Sequence, residues 1–97
     1  MSKLAELIKK RNKIANDTQN GVDEANKVFK EHGSSFMAEI QDLKTMVVEI
    51  NIEYGDWKHD HLYADWVMEE KGFKKIGEEV TFESGEDWAS SVHFYHV

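Results

Sequence analysis

Five histidines in a chain of 97 residues are the first side chains to weigh for chemistry, because a neutral imidazole is a common ligand for divalent metals. His59 and His61 straddle Asp60, and His93 and His96 stand near the C-terminal end of a segment rich in carboxylates. Such nitrogen and oxygen donors suit zinc. Residues 93 and 96 are three apart along a predicted strand, so their side chains point to opposite faces and one metal could take only one of them. There is no cysteine and no His-x-x-x-His pair. Ordinary polar surface is therefore the expectation for the histidines, with no metal and no other cofactor, and His59 with His61 is the half-site to test.

Carboxylates come next, since Asp56, Asp60, Asp65, Glu69, Glu70, Glu86 and Asp87 could converge. General acid–base work needs two carboxyls held in different environments. Fourteen acidic residues among the 64 positions from Ser34 to Val97 make such encounters ordinary, and a solvated acidic face is the simpler expectation. Ser91, His93 and Asp87 supply the residue types of a nucleophilic triad, but no glycine-framed turn surrounds the serine. A non-enzymatic chain is predicted.

Each of the three tryptophans follows an aspartate: Asp56-Trp57, Asp65-Trp66 and Asp87-Trp88. Trp66 shares a predicted helix face with Leu62 and reads as core. Trp57, in a loop, and Trp88, at a strand start, read as half-exposed aromatics beside Asp56, Glu86 and Asp87, the combination expected of a protein interface. The first helix carries the opposite charge in Lys9, Lys10, Arg11 and Lys13. That cluster fits phosphate, yet the net charge of -7 opposes a polyanion. Direct nucleic-acid binding is not expected; a small anion such as a nucleotide, held between basic helices of an oligomer, is the alternative.

These residues must be positioned by a short list of elements. Ser2 can cap a helix whose apolar residues recur at Leu4, Leu7, Ile8, Ile14, Ala15, Val22, Ala25, Val28 and Phe29. With Ile8, Ala15, Val22 and Phe29 at the a positions of a heptad, Leu4 and Ala25 fall at d, and Arg11 and Thr18 interrupt the repeat. The poor helix formers from Asn16 to Gly21 predict a break or bend there, so one long helix and a helical hairpin both stand open. Gly33 supplies a stop, and the spacing of Phe36, Ile40 and Leu43 predicts a second short helix, or an extension of the first, ending near Lys44.

From Met46 to Tyr54 strict alternation predicts a strand with Met46, Val48, Ile50, Ile52 and Tyr54 inward. Gly55 breaks it, Asp56 to Asp60 form a loop, and a short helix with Leu62, Tyr63, Trp66 and Val67 on its apolar side stops at Gly72. Ile76, Val80 and Phe82 alternate in a second strand, Ser84 to Asp87 turn, and Trp88, Val92 and Phe94 run down a third, with Ser91, His93 and Tyr95 on its other face. The fold class is α+β: a long N-terminal helix, then a three-stranded, mainly antiparallel sheet with one short helix packed on it.

Length bounds this to a single domain, 1–97, divided into a helical arm (1–45) and a strand–helix–hairpin body (46–97). A chain of this size buries roughly 65% of its unfolded surface, so self-association would add to a thin stability margin. The arm to Gly33 carries seven basic and five acidic residues, a net of +2, and the remainder five basic and fourteen acidic, a net of -9. Absence of cysteine suggests a reducing, cytoplasmic setting. No apolar run is long enough to span a membrane, and Met1 to Arg11 lacks the apolar core of a signal peptide.

Together these features predict a small acidic interaction module that self-associates through Leu4, Ile8, Ala15, Val22 and Phe29. It presents its acidic, aromatic surface to a protein with a basic face, such as a nucleic-acid-processing enzyme. In size and charge alone it is like the small inhibitors that phages encode. The two other readings are an anion-binding oligomer and, further off, a metal-dependent enzyme around His59 and His61.

Overall fold

The computed structural model describes residues 2–97. Helix α1 spans Lys3–His32, strand β1 Ala38–Asp42, strand β2 Val47–Asp56, a π-helical turn Trp57–His61, helix α2 Leu62–Glu70, strand β3 Lys74–Ser84 and strand β4 Trp88–His96. The strands form one antiparallel sheet in the order β1-β2-β4-β3. The α+β architecture is as predicted, with four strands in place of three.

Of the two alternatives left open by the sequence, one long helix forms: α1 is continuous through Asn16–Gly21. Tertiary packing overrides the weak propensities there: Thr18, Gly21 and Val22 are buried, and the Thr18 hydroxyl donates to the Ile14 carbonyl at 2.7 Å. Gly21 is a close-approach position, since a Cβ there would lie 2.7 Å from Cε2 of Phe73. The Ser2 side chain accepts from the Ala5 amide at the start of the helix. Gly33 ends it at φ 83°, with the Ser34 N–H returning to the Phe29 carbonyl.

Residues 38–42, within the predicted second helix, are strand β1. The correction has a physical cause in α1: the Asn26 amide donates to the Ala38 carbonyl at 2.9 Å and its oxygen accepts from the Ala38 N–H at 2.7 Å. A side chain thus completes the outer edge of the sheet as another strand would. Phe36 turns in to meet Phe29, ring centroids 5.0 Å apart.

Strand β2 keeps Val48, Ile50 and Ile52 inward as predicted. Tyr54 does not follow them: at φ 53° it sits in a bulge between Ile52 and Gly55 and is 60% exposed. Gly55, predicted to end the strand, continues it and pairs with Ala89. Val22, Ala25 and Phe29 of α1 and Ala64, Val67 and Met68 of α2 close one core over Val48, Ile50, Ile52 and Tyr95.

Three further expectations about faces are corrected. Trp66 is 58% exposed, because Ala64, Val67 and Met68 are the residues of α2 that face inward. Ile76, Val80 and Phe82 are exposed on β3, an edge strand whose residues are none of them buried. The phase of β4 is the reverse of that predicted: Ala89, Ser91, His93 and Tyr95 are buried beneath the helices, while Trp88, Val92 and Phe94 face the open side.

Candidate functional site

The buried face of β4 carries a polar network that α2 completes. His61, at the end of the π turn, and Ser91 and His93 are all 0–1% exposed. His61 Nδ1, His93 Nε2 and Ser91 Oγ form a triangle with sides of 2.8–2.9 Å. The outer nitrogens fix the tautomers. His61 Nε2–H donates to the Ala89 carbonyl at 2.9 Å, and His93 Nδ1–H donates to Asp65 Oδ1 at 2.9 Å. If both rings are neutral, two lone pairs face each other across 2.9 Å with one hydroxyl proton to share. The Ser91 O–H therefore donates to one of the two ring nitrogens that it faces, His61 Nδ1 at 2.9 Å or His93 Nε2 at 2.8 Å.

Charged groups flank the network on the side of Asp65. Lys75 donates to Asp65 Oδ2 and Glu78 Oε1, each at 2.8 Å, and Tyr95 O–H donates to Asp65 Oδ1 at 2.5 Å. Two carboxylates and one ammonium leave a single negative charge. Burial alone would raise the Asp65 carboxyl; hydrogen bonds from His93, Lys75 and Tyr95, with the charge of His93, outweigh it and bring the carboxyl down to about 2. Burial, and then the bond to Asp65, push the Tyr95 hydroxyl up. Burial lowers the Lys75 ammonium less than Asp65 and Glu78 raise it.

Asp65, Glu78 and His93 bring ligand atoms within 4.8 Å of one another, but the Lys75 ammonium already bridges both carboxylates. The half-site of His59 and His61 is not assembled: His59 Nδ1 lies at the surface 3.1 Å from Asp56, while His61 is inside with His93. Ser91, His93 and Asp65 do stand in the order of a nucleophilic triad. The acid is Asp65 and not the predicted Asp87, whose carbonyl instead accepts from the Trp57 N–H. Ser91 is wholly buried.

The other face of the sheet is covered by neither helix. Along β4 it presents Trp88, Ser90, Val92 and Phe94, and Tyr54 crosses over Ser90 to Phe82, ring centroids 5.6 Å apart. Glutamates flank this strip, with Glu39 and Glu49 directly opposite each other on β1 and β2 and Glu79 beside Val92 on β3, and Lys74 stands beside His96 at its end. Like charges in direct cross-strand register cost stability. The predicted interface residues gather at one end of this face: Asp56 pairs with Trp88, and Trp57 is tied to Asp87. Two of them have inward tasks. Asp56 caps the π turn by accepting from Lys58 and His59, which lower its carboxyl, and Trp57 packs on the His61 ring at 4.6 Å. Trp88, Glu86 and Asp87 remain exposed.

The predicted self-association stripe divides. Val22 and Phe29 are consumed in the core, Ala15 is half-buried, and Leu4 and Ile8 are exposed. Lys9, Lys10, Arg11 and Lys13 are exposed on the same half of α1, and Lys10 and Arg11 face a cleft that Lys44 also lines. Comparison of this chain with protein-family models, with curated proteins and with solved structures finds no match.

Proposed function

We propose that the chain is a non-enzymatic interaction module that docks a protein with a basic surface on its open sheet face. One observation carries the reading: a single-layer sheet keeps both helices on one side and leaves Val92, Phe94, Phe82 and Tyr54 on the other, flanked by Glu39, Glu49 and Glu79. An apolar centre supplies affinity and the charged rim supplies steering and partner choice. The unfavourable register of Glu39 against Glu49 is relieved when a cation is brought between them. Basic grooves that hold nucleic acid offer such cations, so a nucleic-acid-processing protein, blocked or escorted by this chain, fits best. Self-association belongs to the same proposal and rests on Leu4 and Ile8, which continue past the sheet the helix face that packs on it.

The test is capture on the immobilised chain followed by elution with duplex DNA, run beside Phe82→Lys and Glu79→Lys. A basic protein that DNA elutes, and that both variants fail to hold while keeping the wild-type circular dichroism, supports the proposal. Identical capture by the wild type and both variants overturns it.

A further inference from the structure

The free half of α1 and the turn between β1 and β2 enclose a cleft of about 320 Å³, near the lower end of the range for small-molecule sites. Its lining joins two kinds of side chain. Leu7, Ile14 and Leu43 are aliphatic and 62, 45 and 69% exposed, and Lys10, Arg11 and Lys44 are cationic. No carboxylate lines it, in a chain whose net charge is -7. The floor is held in place: Met46 is buried, its N–H donates to the Asp42 carbonyl at 2.7 Å, and His96 Nε2 bonds the Thr45 carbonyl at 2.9 Å.

We infer that this cleft binds a small anionic amphiphile, a saturated chain of medium length ending in a carboxylate or phosphate. Exposed aliphatic side chains gathered in one place mark a binding surface. Arg11 brings a planar fork that matches a carboxylate or phosphate, and Lys10 and Lys44 bring point charges beside it. The chemistry of the floor selects the body of the ligand. The one aromatic ring of the lining is the His96 imidazole, set against three aliphatic side chains, so a nucleobase finds little to stack on, while an alkyl chain can cover Leu7, Ile14 and Leu43. This site is separate from the open sheet face and stands or falls apart from it.

The experiment is calorimetric titration of the full chain with octanoate, decanoate and octanol below their aggregation limits, with adenosine monophosphate and phosphatidylglycerol vesicles as further arms. Each buried methylene tightens binding about fourfold, so decanoate binds roughly fifteenfold more tightly than octanoate, and octanol at least tenfold more weakly. Arg11→Gln and Lys44→Gln each weaken decanoate several-fold without moving the melting temperature, and Leu43→Ser flattens the dependence on chain length. Octanol equal to octanoate, adenosine monophosphate tighter than decanoate, or vesicle binding without saturable decanoate binding each overturns the inference. The last of these identifies a membrane surface as the partner instead.

Discussion

Substituting asparagine for Asp65 removes the charge on which the buried network closes, and its cost can be worked from the carboxyl itself. The folded value is about 2 against 3.8 unperturbed, and at 1.36 kcal/mol per unit this is about 2 kcal/mol of stability at pH 6. The side chain is 22% exposed, so solvent screening removes little of it. A folded value below the unfolded one means that the stabilisation is complete above about pH 5 and is lost as pH falls through 2. By pH 3 it has dropped to about 1 kcal/mol. Asp65→Asn therefore melts roughly 8–16 °C below the wild type at pH 6, taking 4–8 °C per kcal/mol for a domain of this size, and the gap narrows by about half at pH 3. Thermal unfolding of both proteins at the two pH values is the assay. A gap of the same size at pH 3 and pH 6 would refute the reasoning, because the cost would then be steric.

Asn26→Ala strips both partners from the Ala38 backbone and costs about 1–3 kcal/mol; hydrogen exchange at the Ala38 amide accelerates, and unchanged exchange would show that β1 is held by β2 alone. Gly55→Ala drives a Cβ into Ile52 Cγ2 and places it 3.0 Å from Asp60 Cβ and 3.1 Å from His61 Nε2. Overpacking of this kind costs about 1–3 kcal/mol, read as a fall in the urea midpoint, and an unaltered midpoint would count against the crowding. Ile8→Asp lowers the native mass measured by light scattering at both low and high salt while leaving the sheet's circular dichroism intact. Retention of the wild-type mass would exclude that residue from self-association.

What could be read from the residues, and what could not, follows from the range of the forces involved. Strand β2 was legible because Val48, Ile50 and Ile52 alternate with polar residues and nothing competes with that signal. In β4 the same rule points the wrong way: hydrophobicity chooses Val92 and Phe94 for the core, yet Ser91, His93 and Tyr95 are the residues buried there. Their burial is possible because Asp65 accepts from His93 and Tyr95, and a partner some 28–30 residues away leaves no local trace. Asn16–Gly21 looks like a helix break until Phe73 is seen to need the space at Gly21. Phe36, Ile40 and Leu43 have helical spacing, but the two bonds from Asn26 and the pairing with β2 decide for a strand. The charge division and the aromatic–aspartate pairs were visible from the start; their placement on a bare sheet face needed the topology.

The strand order also bears on how the chain is made. Strand β4 lies between β2 and β3 in the sheet yet follows both along the chain. During synthesis, β1 and β2 can meet as a hairpin while β3 emerges with no neighbour to pair with. The nascent protein thus carries Val48, Ile50 and Ile52 on a half-built sheet until β4 threads between the waiting strands, delivering His93 and Tyr95 to Asp65 in the same step. A ribosome that stalls before Trp88 would release an aggregation-prone fragment, and a separate peptide of residues 88–96 is the piece that would rescue it.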